Sequence, residues 1–143
     1  MDILGVMNIG SSALRAQTIR LNTISSNLAN IETTRTPEGG PYRKKSAVFT
    51  SANVGFEAHL EQGQPQKAQG VQVQYIRTDN GPGKVVYDPS HPDSDENGYV
   101  EKPNINLAEE MTDMLRARGS YEANVTAIKS AQRMAMKAHE IGR

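Results

Sequence analysis

The chain has 143 residues, room for one ordinary domain or a small domain with an extended helical element, and its few aromatic side chains limit how large a packed core it can bury. Sixteen basic residues balance sixteen acidic ones, so no global field draws it to nucleic acid or to an anionic membrane surface. The absence of cysteine excludes disulfide scaffolds, thiolate zinc sites and cysteine nucleophiles.

The opening Met1-Asp2-Ile3-Leu4-Gly5 carries no basic leader, and Asn8, Gly10, Ser11 and Ser12 break up its apolar run. The expectation is that any export proceeds without a cleaved signal peptide. Nowhere do enough apolar residues run together to insert into a membrane as a helix.

Residues 3–32 place Met7, Leu14, Leu21 and Leu28 seven apart, with Ile24 and Ile31 at companion positions. That is the seam of a heptad helix roughly 45 Å long at 1.5 Å per residue. Between Ile3 and Glu32 the only charges are Arg15, Arg20 and Glu32 itself. The rest of the off-seam surface is small and polar, with Asn8, Ser11, Thr18, Asn22, Ser25 and Asn30 among its residues. A solvated face ordinarily carries more Lys and Glu, so this helix is expected to lie against other protein.

Residues 36–104 form a stretch of different character, rich in Gly and Pro and containing short alternating segments. Strands are expected at 42–50, 71–75, 84–87 and 99–102, with a turn at Gly81-Pro82-Gly83 and an exposed Gln-rich loop at 62–67. Six of the seven aromatics fall here: Tyr42, Phe49, Phe56, Tyr75, Tyr87 and Tyr99. They are expected to form a core of their own, making this a small β-rich insert able to fold independently.

The last segment repeats the heptad through Leu107, Met114, Tyr121, Ile128 and Ala135, with Met111 and Val125 on the same stripe. Asn106 followed by Glu109 marks its start in the manner of a capping box, Glu110 and Asp113 suit the positive end of the helix dipole, and Gly142 follows its last apolar residue. The expected fold is therefore α+β: a helix within 1–35 and a helix within 105–143 pair as a coiled-coil-like assembly domain around the insert at 36–104. One seam buries little apolar area against the backbone entropy of ordering two long helices. An intramolecular antiparallel hairpin is thus expected to be marginal alone, with ends that order on assembly.

Leu21-Asn22-Thr23-Ile24-Ser25-Ser26-Asn27-Leu28-Ala29-Asn30 resembles the asparagine-containing signature near the start of flagellar rod and hook axial proteins. The segment from Thr33 through Pro37, Gly39, Gly40 and Tyr42 to Arg43 is similar to the form found in the proximal rod branch of that family. Two further stretches agree, one carrying Asp88, Pro89, His91, Pro92, Gly98 and Tyr99, the other running from Asn106 to Asn124. The likeness implies a structural subunit of the bacterial flagellar rod, which crosses the periplasm. It further implies no catalysis, no cofactor, and passage through the flagellar type III export apparatus. The implied partners are other copies of the chain and the rod proteins FlgB, FliE, FlgF and FlgG.

Rival readings are weaker. Asp93-Ser94-Asp95-Glu96-Asn97-Gly98 matches the first half of a calcium loop, but Asn104 stands where the bidentate Glu belongs. An acidic turn held by side-chain-to-backbone bonds is favoured. His59, His91 and His139 are scattered, Gly81-Pro82-Gly83-Lys84 lacks phosphate-loop spacing, and Arg43-Lys44-Lys45 reads as a strand end or subunit contact. The chief alternative to an axial subunit is a soluble coiled-coil adaptor or export chaperone, whose helices would be ordered in the free monomer.

Overall fold

The computed structural model describes residues 3–52 and 70–142. The Gln-rich loop and Phe56 lie outside the described residues. In chain order the elements are α1 (Ile3–Ala29), β1 (Lys45–Ala52), β2 (Gly70–Thr78), β3 (Lys84–Tyr87), β4 (Tyr99–Lys102) and α2 (Leu107–Ile141). The α+β arrangement of two long terminal helices around β structure is as expected.

The helices pair antiparallel, a direction set by three contacts along their length. Gly10 lies against Ile128, the Arg20 guanidinium is 3.7 Å from Asp113, and Asn27 bonds Glu110. Small residues let the axes approach: Ala117 and Ala131 are buried on α2, and a Cβ on Gly10 would sit 2.6 Å from Ile128 Cγ1. Helix α2 starts where Asn106 Oδ1 accepts from the Ala108 N–H. The reciprocal Glu109 arm of a capping box is not among the described bonds. At 1.5 Å per residue, α2 is about 52 Å long.

Helix α1 ends at Ala29, short of the seam residue Ile31. Asn30 turns its amide back onto the Ser26 carbonyl at 2.9 Å and accepts from the Thr33 hydroxyl at 3.1 Å. That local bonding competes with another helical turn. A second turn follows at Thr36–Gly40, where Gly39 and Gly40 adopt φ of 91° and 74°, a region costly for any residue with a Cβ.

The strands make two separate two-stranded antiparallel sheets. In the first, Lys45 faces Thr78 and Ala52 faces Gly70, with a bulge beside Val48 and Phe49. This hairpin packs on α1: the Val71 N–H donates to Ser12 Oγ at 3.1 Å, and the Arg20 guanidinium lies 5.9 Å from the centre of the Phe49 ring. In the second, Lys84 faces Lys102 and Tyr87 faces Tyr99. It is tied to the residues after α1 by Lys102–Glu32 at 2.6 Å, and its connecting loop by Arg35–Asp93 at 2.7 Å.

The expectation of an independent aromatic core is corrected here. Tyr75, Tyr87 and Tyr99 are exposed, while Tyr42 and Phe49 are half-buried beside α1 rather than against each other. A two-stranded sheet has no second layer of its own and is marginal unless something covers one face. Helix α1 covers the first sheet. At the second, Val100, Pro103 and Ile105 supply a small buried core. Among the described residues the first sheet thus leans on α1, and the second gathers round its own few buried side chains.

The closest helix contact is testable. Gly10→Leu should destabilise the folded chain by about 1–3 kcal/mol through overpacking, and Ile128→Ala in the same chain should recover part of the loss. Urea unfolding of the four proteins of this cycle reads the coupling; additive effects would mean that the helices do not cross at this point.

Candidate functional site

Helix α1 presents three faces. One carries Gly10, Ile24 and Asn27 towards α2, and a second carries Ser12, Ala16 and Ile19 towards the first sheet. The third is exposed and follows alternating steps of four and three: Leu4, Asn8, Ser11, Arg15, Thr18, Asn22, Ser25, Ala29. The charge-poor off-seam surface read from the sequence thus divides in two. Ser12, Thr23, Ser26 and Asn27 serve contacts within the chain, and the exposed strip has one charge, Arg15.

Three elements meet at Asn27. Its Nδ2 donates to the Lys45 carbonyl at 2.8 Å and to Glu110 Oε2 at 3.0 Å, while its Oδ1 accepts the Lys45 N–H at 2.9 Å and the Tyr42 hydroxyl at 3.2 Å. One amide thereby satisfies both backbone groups at the start of β1 and reaches the first turn of α2. Tyr42 is also 3.2 Å from the Ser26 hydroxyl. Glu110 is 1% exposed, and its Oε1 lies 2.7 Å from Lys44 Nζ. That approach is off the ideal hydrogen-bond angle for Oε1, so charge carries much of the compensation.

Contact with the Glu110 carboxylate, opposed by partial burial, raises the Lys44 ammonium above its ordinary value of 10.5. Because the folded value is the higher one, this contribution is fully present below pH 10.5 and is lost as pH rises through the raised value. A buried carboxylate left without its cation is strongly destabilising, which makes the pair an organising contact rather than a dispensable one.

The seam positions read from the sequence fall into two groups. Ile24 is buried, and Met7, Leu14, Leu21, Leu28, Ile31, Met114, Tyr121, Val125 and Ile128 are half-buried in the folded chain. Leu107 and Met111 are more than half exposed, and so is Leu115, one turn further on. The divergence has a geometric cause: a strict seven-residue repeat drifts about 20° per heptad round a straight helix. A stripe that faces α1 at Ile128 therefore stands off it at Leu107.

The family-motif residues are likewise unequal. Asn27 is the buried hub, Asn30 closes α1, and Asn22 is exposed. Pro37, Gly39 and Gly40 shape an exposed turn leading to Tyr42. In the acidic loop Asp88 bonds Ser90, and that contact lowers its carboxyl below the usual range. His91 Nδ1 accepts the Asp93 N–H, while Pro89 and Pro92 are exposed. Asp95 Oδ1 accepts from the backbone of Asn97 and Tyr99 at 2.9 and 2.8 Å, which is the side-chain-to-backbone turn expected in place of a calcium loop. Gly98 is buried at φ 79°, where a Cβ would meet the Tyr87 ring at 3.0 Å.

Sequence reasoning missed Lys44 and undervalued Glu110. An acidic residue in a helix's first turn reads as a dipole partner. Only its meeting with Asn27, 83 positions away, reveals a buried carboxylate. The basic triplet at 43–45 was the available signal for its counter-ion.

Comparison with known proteins places matches at both helical ends. Residues 7–35 match the family described as "Flagella basal body rod protein", and residues 96–141 match "Flagellar basal body rod FlgEFG protein C-terminal". The class defined by these two ends is that of the flagellar basal-body rod proteins. Over nearly its whole length the chain is similar to the flagellar basal-body rod proteins FlgC of three bacteria. It is 43% identical to that of Borreliella burgdorferi, covering 94% of this chain and 93% of the relative. For Bacillus subtilis the identity is 42%, with 96% of each covered. For Salmonella typhimurium it is 36%, with 99% of each covered. The chain belongs to the FlgC family of flagellar basal-body rod proteins.

Two outcomes test the hub. Asn27→Ala should cost about 3 kcal/mol, because it strips partners from the Lys45 backbone and from Glu110 together; a loss below about 1 kcal/mol in urea unfolding would show that the network does not hold the elements. Lys44→Gln should remove stability at neutral pH and flatten the fall in melting temperature above pH 10.5 relative to the unaltered chain. Parallel pH profiles for the two proteins would exclude the Lys44–Glu110 linkage.

Proposed function

We propose that the chain is a structural subunit of the proximal rod, polymerising through its terminal helices to form part of the torque-transmitting drive shaft and of the channel through which later components are exported. Its neighbours are other copies of itself and the rod proteins FlgB, FliE, FlgF and FlgG. It reaches the periplasm through the flagellar type III export apparatus and performs no catalysis. The observation carrying this reading is the full-length relationship to FlgC proteins, joined to the surface of the helical pair.

That surface suits burial by other helices. A strip of Asn, Ser and Thr on α1 allows close approach without desolvating many charges, and Leu107, Met111 and Leu115 stand exposed on α2. The seam consequently has two roles. Its half-buried members join α1 to α2 within one chain, and its exposed members at the start of α2 meet neighbouring subunits. No helix among the described residues is long and apolar enough to cross a membrane, and no group of three or more potential metal ligands occurs among them.

Met111→Asp separates the two roles better than a change at half-buried Met114. Because Met111 is already exposed, the substitution should change the monomer's stability by no more than about 0.5 kcal/mol, yet prevent incorporation into basal bodies and abolish motility. Secretion of the variant into the periplasm is followed by immunoblot to separate export from assembly. A variant that is exported, built into rods and supports swimming would overturn the assembly role of this face.

A further inference from the structure

Two exposed apolar faces lie at opposite ends of the molecule and carry opposite charge. The first belongs to the second sheet, where alternation and register put Val85, Tyr87, Tyr99 and Glu101 on one side. Val85 is 67% exposed and Tyr87 64%, and the Tyr87 and Tyr99 rings meet edge to face with centroids 5.3 Å apart. The loop joining these strands adds Asp88, Asp95 and Glu96 to the rim, while Asp93 is neutralised by Arg35.

The second face is on the last turns of α2. Met134, Ala138 and Ile141 recur at steps of four and three and share one side of the helix, with Arg133 beside them and Lys137, paired with Glu140 at 2.8 Å, among them. Met134 is 64% exposed and Ile141 85%. Met134 lies 27 positions after the start of α2, about 40 Å along its axis, so the two faces cannot meet within one chain.

We propose that these faces bind each other between copies: the basic, methionine-bearing end of α2 in one subunit docks on the Tyr87–Tyr99 face of the next. This rests on the rod-subunit reading above. The chemistry is matched on both sides. Methionine sulfur and aliphatic side chains pack well against aromatic rings, Arg133 meets the acidic rim, Lys137 turns to it from the exposed Glu140 pair, and a cation over a tyrosine face adds attraction. The geometry also selects a second copy. A contact between unlike patches at opposite ends of one subunit is heterologous, and unless its rotation closes a ring it propagates as an open helical array. A shaft requires such an array.

The chain's lack of cysteine makes the test direct. The double variant Tyr87→Cys with Met134→Cys, oxidised with copper phenanthroline in purified basal bodies, should give a ladder at multiples of the chain mass, and neither single variant should. Tyr99→Cys with Ile141→Cys is the second pair, in case the first disturbs packing. Lys137→Glu or Glu96→Lys alone should reduce the ladder several-fold, and the two together should restore it. An incorporated double variant that stays monomeric, or that cross-links to a protein of another mass, would overturn this contact while leaving the rod reading intact. Absence of the unaltered chain from basal bodies would remove the rod reading itself.

Discussion

A single side-chain amide near the end of α1 decides how the chain is arranged. Strand β1 begins with backbone groups that have lost water and lack a ladder partner on the α1 side, and Asn27 supplies both a donor and an acceptor to Lys45. The same amide donates to Glu110, whose burial is tolerable because Lys44, the residue just before β1, brings the opposite charge. Helix, strand and second helix are thereby fixed in one relative position by groups that each need the others. Apolar packing tolerates sliding, whereas a buried polar network is satisfied in only one register.

From that point the helices run together with axes close enough to bury Gly10, Ala117 and Ala131. Close axes spend the small residues of the inner face on intrachain packing and leave larger apolar residues standing off it at the start of α2. The exposed strip of α1 is narrow because the first sheet occupies the face beside it. The two surfaces differ in chemistry: the strip on α1 is mostly small and polar, whereas the start of α2 leaves Leu107, Met111 and Leu115 uncovered.

The β structure changes meaning in this light. Of the two separate hairpins, one takes α1 as its second layer and the other gathers round Val100 and Ile105. Tyr75, Tyr87 and Tyr99 stand exposed on these hairpins, and damage to α1 will be felt by β1 and β2. Ion pairs tie the parts together: Glu110 of α2 holds Lys44 just before β1, while Glu32 and Arg35, in the segment after α1, hold Lys102 of β4 and Asp93 in the β3–β4 loop.

Local pattern determined a good deal. The heptads located α1 and α2, Asn106 marked the start of α2, and two-residue alternation placed β3 and β4 at the observed residues and located β1 and β2 approximately. These features are legible because periodicity and capping are properties of neighbours in the chain. The motif around Asn27 identified the family, and the turn at Asp95 followed from the missing twelfth-position ligand. What only the tertiary structure decided involves residues far apart: which of three asparagines becomes the hub, that Glu110 is buried, that Tyr75, Tyr87 and Tyr99 stand exposed instead of forming a core, and where the stripe on α2 leaves the inner face. Each depends on which distant side chain arrives at the same place, and composition and spacing do not encode that distance.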